Sequence, residues 1–399
     1  MTVPPPVTFL VFGDDWGRHV SSLQHLFAQL TTRTEVIWVN GIGHRPPRVT
    51  VTDFRRAWEK AKTMLRGAEL PAAVGQKTMA PHRIVAPRVL PWHSRSWVKT
   101  LNRWSLRRDI LRALETTSPD ADVVLVTGSP PSVSVLGQCR ERVSIYFCMD
   151  DFLELPGVSA EMLAPLEREL LRRVDAVVVT AAELLERKRC ASGRGYYLPQ
   201  GVNFEHFAVR QPIPAELRSL PRPIIGFAGG VSTACDLEVI RDLARENADG
   251  SVVLVGPLGV ERSALQAPNL HVLGARPYSQ LPAYVQAFDV GIIPYIESPW
   301  TRTVDPLKLL EYLAAGIPVV ASPLPEVAKY ESVIRIAPLG QDFVRATLES
   351  ARNVDRSRSE RGVRTAFTNS WERRAERFME IVTEVLSATR PRSAPVAMR

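Results

Sequence analysis

Two successive series of short apolar runs, separated by stretches with helical spacing, constrain this chain more than any other feature. A strand buried on both faces reads as a continuous run of Val, Ile, Leu and Phe. Such runs alternating with helices make βαβ units and a parallel sheet. The first series has runs at 7–12, 36–40, 123–127, 144–149 and 176–180, with helical patterns at 21–30 and 161–173. The second has runs at 224–227, 252–255, 270–273, 290–294 and 318–321, with helices expected at 237–246, 281–288, 306–315 and 342–351. Two doubly wound α/β domains follow, each with its ligand edge at the carboxyl ends of its strands. The length of 399 residues agrees, since it exceeds what one hydrophobic core usually serves. The expected division is a first domain at 1–210, a linker at 211–223 marked by Pro212, Pro214, Pro221 and Pro223, and a second domain at 224–370. A last helix at 371–388 is expected to pack back on the first domain, and the tail 389–399 reads as disordered.

Several classes are excluded at this level. No stretch approaches the roughly 20 uninterrupted apolar residues of a membrane-spanning helix. Residues 1–11 carry no basic n-region or small-residue cleavage pattern, so a cytoplasmic location is expected, either free or peripheral on the inner face of the cell membrane. Cys139, Cys148, Cys190 and Cys235 are scattered without a C-x-x-C pair and read as reduced, mostly buried thiols. The net charge of +8 is uneven: residues 45–112 hold 16 Lys and Arg against Asp53, Glu59, Glu69 and Asp109. Trp58, Trp92, Trp97 and Trp104 lie among these cations, within helices expected at 54–65 and 97–114. Either this is a solvated face, or indoles and cations meet an anionic membrane surface. Nucleic acid is not expected, because no binding motif accompanies the charge.

The segment with the most chemistry runs Asp305-Pro-Leu-Lys308-Leu-Leu-Glu311-Tyr-Leu-Ala-Ala-Gly316-Ile-Pro318-Val-Val-Ala321. Pro306 suits a helix start, Gly316 a helix stop, and Pro318 opens the next strand. Lys308 and Glu311, three apart near the helix start, share a face. They read either as an ordinary surface pair or as a nucleotide diphosphate site, with the helix tip and Lys308 at phosphate and Glu311 at ribose hydroxyls. Asp150 and Asp151 close an apolar run, where one could serve as general base and the other orient an acceptor, or both could cap a helix. The loop Gly13-Asp14-Asp15-Trp16-Gly17-Arg18-His19 follows the first run and reaches the same kind of edge. Gly13, Asp14, Trp16, Gly17, Arg18 and His19 are therefore candidate acceptor contacts, although a lone histidine near a helix start is more often structural.

Lys308-Leu-Leu-Glu-Tyr-Leu-Ala-Ala-Gly-Ile-Pro-Val-Val320 resembles the donor-site signature of GT-B glycosyltransferases, in particular the family 4 and family 1-like group. Ser129-Pro-Pro131, Ile145-Tyr-Phe-Cys-Met-Asp-Asp151, Val174-Asp-Ala-Val-Val-Val-Thr180, Leu198-Pro-Gln-Gly-Val-Asn203 with Phe207, and Ile225-Gly-Phe-Ala-Gly-Gly230 with Asp236 are similar to further segments of that group, in its order. The likeness covers about residues 7–330 and is nearest the bacterial exopolysaccharide and teichuronic-acid type. It implies two Rossmann-like doubly wound domains facing each other across a cleft. The implied activity is metal-independent hexosyl transfer from a nucleotide-diphosphate sugar to a hydroxyl of a glycan or lipid-linked acceptor, in cell-envelope or exopolysaccharide synthesis. No cofactor or metal is expected beyond the nucleotide sugar as co-substrate. The implied donor set is Gly229, Gly230, Arg276, Pro294, Arg302, Thr303, Lys308, Leu309 and Glu311, with Asp150 and Asp151 as catalytic candidates.

Two departures stand out. The family's Glu-x7-Glu pair has Glu311 as its second member, but Thr303 occupies the first position, with Glu297 too early and Asp305 too late. That leaves the donor sugar, and the choice between retention and inversion, open. The loop after Gly230 reads Val-Ser-Thr-Ala-Cys235 without a cation, so Lys308, Arg302 or Arg276 would face the diphosphate. Two other readings compete. A non-catalytic nucleotide-sugar-binding scaffold would bind nucleotide without turnover, and a sugar-nucleotide epimerase would convert donor without acceptor.

Overall fold

A computed structural model of the chain describes residues 6–18, 20–41, 80–87, 96–118, 120–155 and 158–389. The helix expected at 54–65, with Trp58, Trp92, His19 and the tail beyond residue 389, lies outside the described residues. The chain forms two compact units. One combines the chain up to Val179 with Leu184–Leu198 and the last helix from Ala375, and the other takes Thr180–Glu183 and Pro199–Arg374.

The first unit's sheet has, among the described residues, strands β1 (Val7–Phe12), β2 (Glu35–Val39), β3 (Arg83–Val85), β4 (Asp122–Thr127), β5 (Val143–Cys148), β6 (Ala176–Val179) and β7 (Gly195–Tyr197). They lie in the order β3-β2-β1-β4-β5-β6-β7, and every pairing is parallel. Every residue of β5 is buried, which is why, apart from Ser144, it shows no polar alternation. Phe378, on the helix Trp371–Ala388, sits among Phe9, Phe27 and Phe147 with ring centroids 6.1, 5.7 and 6.0 Å away. The helix Ser96–Leu114 crosses from β3 to β4.

The second sheet holds β8 (Ile224–Ala228), β9 (Ser251–Val255), β10 (Leu270–Gly274), β11 (Val290–Ile293), β12 (Val319–Ala321) and β13 (Arg335–Ile336), ordered β10-β9-β8-β11-β12-β13 and again parallel. The helix Leu237–Glu246 starts where Asp236 accepts hydrogen bonds from the N–H groups of Glu238 and Val239, both at 3.0 Å. The proline-rich stretch 211–223 contains the short helix Ala215–Arg218, and Leu217 is buried in the second unit's core with Phe207 and Val202. In each unit the strand order reverses beside the first strand, between β1 and β4 and between β8 and β11. Crevices at such points, at the carboxyl ends of the strands, are where doubly wound sheets hold ligands.

The short strands β3, β7 and β13 and the helix Arg356–Thr368 were not expected from the sequence. Two or three residues cannot display a period. All four cysteines are buried and free. Among the described residues no helix is long and apolar enough to cross a membrane.

Candidate functional site

At the β8/β11 reversal, the helix Leu307–Ala314 meets the end of β8 through Tyr312, whose hydroxyl accepts a hydrogen bond from the Ala228 N–H at 2.7 Å. This fixes the first turn of the helix beside Gly229. Lys308 is only 8% exposed. Its ammonium lies 4.4 Å from the Phe227 ring centroid and 4.6 Å from that of Tyr295, and donates to the Tyr295 hydroxyl. Tyr295 is itself fixed, since its carbonyl accepts from the Ser322 hydroxyl at 2.7 Å. Among the described residues Lys308 has no carboxylate at ion-pair distance. A cation buried this far without an anion is costly unless something negative joins it.

Space around the ammonium comes from glycine. Gly229 has φ +139°, and a Cβ there would stand 2.9 Å from Lys308 Nζ. Gly256, at the end of β9, has φ +148°, and a Cβ there would fall 1.9 Å from the Gly229 carbonyl oxygen. A side chain at Gly256 would strike backbone, and one at Gly229 would strain the backbone and displace Lys308. The Gly229 N–H is already bonded to the Val255 carbonyl at 2.8 Å.

Glu311 is partly buried one turn along the helix, and its carboxyl is pushed up to about 7 by burial, with Lys308 acting in the opposite direction. Near it Tyr278 has its hydroxyl pushed upward by burial and then by Glu311. Tyr278 stacks on His206 at 4.6 Å, and a His206 ring nitrogen contacts the Tyr278 carbonyl at 3.0 Å.

The other expected donor residues divide. Pro294 directly follows β11, and its carbonyl accepts from the Asp236 N–H at 2.8 Å. Arg276 donates to Tyr284 at 2.9 Å and pairs with Glu216 at 3.1 Å. Arg302 pairs with Glu297 at 2.7 Å and Glu183 at 3.2 Å. Both arginines are therefore already neutralised, and Lys308 is not. Thr303, in the place of the family's glutamate, is wholly buried and donates to the Trp300 carbonyl at 2.8 Å. The Leu309 side chain lies in the hydrophobic core, on the inward side of the helix. Asp305, just before the helix, is buried and accepts from the Gln200 N–H at 2.9 Å and Lys329 at 3.1 Å. Gly230 is exposed beside the partly buried Gly229.

In the first unit, the loop 13–18 follows β1 at its own reversal point. The Asp14 carbonyl accepts from the Trp38 indole at 2.9 Å, the Trp16 N–H donates to Asn40 at 3.0 Å, and the Gly17 N–H donates to Gln24 at 3.1 Å. The Gly13 N–H donates to the Val39 carbonyl at 3.2 Å, and Arg18 makes an exposed pair with Asp15 at 3.6 Å. The loop is therefore built by its neighbours, with Asp14 and Arg18 exposed at its rim. The two aspartates after β5 differ. Asp150 is partly exposed, whereas Asp151 is buried and accepts from Lys188 at 2.7 Å and Arg187 at 3.2 Å. Lys188 also reaches Glu167 at 2.8 Å, which accepts from the Tyr146 hydroxyl at 2.7 Å. Burial alone would raise the Asp151 carboxyl, but the Lys188 and Arg187 hydrogen bonds outweigh it and the net shift is downward. A carboxylate held so firmly ionised and enclosed is a poor general base. Asp151 is tied into this ion-pair cluster, and of the pair only Asp150 is partly exposed. No local spacing marks Lys188, Glu167, Tyr295 or Phe227 for these roles. Among the described residues no group of three or more His, Cys, Asp or Glu is arranged to hold a metal ion.

Comparison with known proteins bears on the second unit first. Residues 222–351 match the family described as Glycosyl transferases group 1. The likeness to that family lies within the second unit. The matched stretch contains Lys308, Glu311, Gly229 and Gly256. The chain is also 29% identical over 229 residues to a protein named as a teichuronic acid biosynthesis glycosyltransferase, TuaH of Bacillus subtilis, an alignment spanning 53% of this chain and 57% of that one. This chain thus spans little more than half the length of that relative. Solved structures extend the likeness beyond the stretch that the family matches. HepE of Anabaena, in complex with UDP and glucose, matches with TM-score 0.63 and 12% identity over 94% of this chain and 99% of that one. Sucrose-phosphate synthase of Thermosynechococcus elongatus matches with TM-score 0.68 and 15% identity over 96% and 100%. At such identities these likenesses establish the fold alone, two parallel-sheet α/β units of the GT-B kind.

Proposed function

We propose that the chain transfers a hexosyl group from a nucleotide-diphosphate sugar to a hydroxyl of a glycan or lipid-linked acceptor in cell-envelope or exopolysaccharide synthesis. One observation carries the reading: Lys308 is buried at the β8/β11 reversal with rings, a phenol and glycine around it but no carboxylate within ion-pair distance among the described residues. A diphosphate would supply the missing negative charge. As the sugar–phosphate bond breaks, the anomeric carbon becomes positive and the departing diphosphate more negative. A fixed ammonium in a desolvated wall stabilises that leaving group without reorganising, so the charge a metal supplies elsewhere is supplied here by Lys308. Glu311 would accept hydrogen bonds from ribose hydroxyls, and Gly230 would offer its N–H. Asp150, rather than Asp151, would take the acceptor proton if the reaction inverts.

The donor belongs to the second unit and the acceptor to the first in this reading. The UDP complex of HepE supports a uridine donor as the first to test. The enzyme would work in the cytoplasm, peripheral on the inner face of the membrane. Calorimetric titration with UDP, beside release of UDP from UDP-glucose, tests the assignment. Lys308→Ala should weaken UDP binding about 10- to 100-fold and abolish UDP release, while the melting temperature stays near that of the parent. Undiminished UDP binding in that variant would sink the reading. Thr303, buried and bonded to a backbone carbonyl, favours a second reading, a nucleotide-binding scaffold without turnover. Tight UDP binding with no product from any donor and acceptor would select it.

A further inference from the structure

We propose that the outward face of the helix Ser96–Leu114 docks on an anionic phospholipid bilayer and so turns the carboxyl edge of the first sheet toward the membrane. The proposal rests on the transferase reading for its purpose, since it narrows the acceptor to one carried on lipid, but on the helix alone for its existence.

The helix has two apolar sides. Leu106, Ile110, Ala113 and Leu114 are between 0 and 3% exposed and fix it to its unit. Leu101 and Trp104 are 44% and 57% exposed. Positions 101, 104, 108 and 111 are spaced three, four and three apart and so form one stripe along the solvent side. The stripe therefore reads Leu101, Trp104, Arg108, Leu111. The Arg108 guanidinium lies over the Trp104 indole, 4.9 Å from its centroid. Arg103, Arg107 and Arg112 are exposed nearby. Asp109 is the helix's one acid, and it is paired with Arg108 at 3.3 Å.

This combination selects its partner. Indole and leucine in solvent, ringed by guanidinium groups, match the boundary layer of a bilayer, where rings sit at headgroup depth and cations reach phosphate. A second copy of the chain would set these arginines against their own counterparts, and a nucleic acid would satisfy the cations but leave Leu101 in water. Placement gives the docking a consequence. A helix crossing between parallel strands runs back against them, so its first half lies nearer the carboxyl edge of the sheet. Leu101 and Trp104 are in that half, toward the edge that carries Asp150 and the loop 13–18. An acceptor on a lipid carrier would then arrive at the edge where doubly wound sheets bind ligands.

The full chain should float with vesicles of equal parts phosphatidylglycerol and phosphatidylcholine at low salt, and not with phosphatidylcholine alone. The variant Leu101→Ser/Trp104→Ser should lose at least about tenfold in partition, with an unchanged melting temperature because both residues are exposed. Arg103→Glu/Arg107→Glu, which keeps the apolar stripe, should show the same loss and remove the salt dependence. Parental partition in both variants would assign any lipid binding to another region and overturn the proposal, as would a parent that ignores anionic vesicles. Loss of a dimer in the Ser variant, seen by light scattering, would also overturn it in favour of self-association. Because these readouts use no donor, a parent that floats but binds no UDP would refute the transferase reading and leave the docking face standing.

Discussion

Among the described residues two lysines are buried, and they keep opposite company. Lys188, in the first unit, lies between Asp151 at 2.7 Å and Glu167 at 2.8 Å, with Tyr146 completing the Glu167 shell. Lys308, in the second, has a phenol and two ring faces but no carboxylate at ion-pair distance. The first has every partner it needs within the chain. The second is incomplete in electrostatic terms, and what would complete it is an anion from outside. Burial alone therefore does not mark a functional cation; burial without compensation does. The same comparison separates the aspartates after β5, because Asp151 is buried against Lys188 and Arg187 whereas Asp150 is partly exposed.

The largest expected effect falls on the compensated lysine. Lys188→Met leaves Glu167 buried without a cation and Asp151 with Arg187 alone, and should cost about 3–5 kcal/mol in a denaturant melt. A loss below about 1 kcal/mol would show that the cluster is solvated and the contrast false. Lys308→Met should do the reverse: stability held or raised, and UDP affinity lowered about 10- to 100-fold, from one lost charge-assisted bond of roughly 1.5–3 kcal/mol. If Lys308→Met instead unfolds the chain, the two lysines are alike and the donor assignment loses its basis. Gly229→Ala sharpens the point without removing the charge. Its Cβ would stand 2.8 Å from Lys308 Cε, so the ammonium must move. UDP affinity should fall about tenfold, with about 1–3 kcal/mol of backbone strain visible in the melt.

The smallest effect concerns Glu311. Its carboxyl is raised from the ordinary 4.5 to about 7 by burial. Between those pH values the folded form keeps a proton that the unfolded form releases, so Glu311 opposes folding increasingly as pH rises from 4.5 to 7 and fully above 7. Glu311→Gln should raise stability at pH 8 by about 1 kcal/mol, the remainder of the shift being offset by solvent at its partly exposed side, and should not at pH 4. If the carboxylate receives ribose hydroxyls, parental UDP affinity should also weaken as pH falls through 7, and the Gln variant should lose that slope. A parental slope surviving in the Gln variant would move the titrating group elsewhere.

Much of the fold was legible because both sheets are parallel and buried on both faces, so β5, β8 and β9 announce themselves as largely apolar runs without alternation. The helix Leu237–Glu246 was legible to its ends, since Asp236 caps it and its apolar side is periodic. Strands such as Arg335–Ile336 were not, being too short to carry a period. In the site, Lys308 and Gly229 stood in recognisable local patterns. Tyr295 and Phe227 did not, because they meet only through the adjacency of β8 and β11, a property of topology. Lys188 joins Asp151 across 37 positions and Glu167 across 21, distances over which no local spacing speaks. Asp151 therefore looked like the twin of Asp150.

The near-contact between Gly256 and the Gly229 carbonyl has a practical sequel for anyone wishing to alter what this protein accepts. With a side chain at 256 striking backbone and one at 229 displacing Lys308, the floor beneath Lys308 is not a place where variation can accumulate. New preferences would have to arise at the more open rim, around Tyr278 and Gly230, so a mutagenesis library is best aimed there and kept away from 229 and 256.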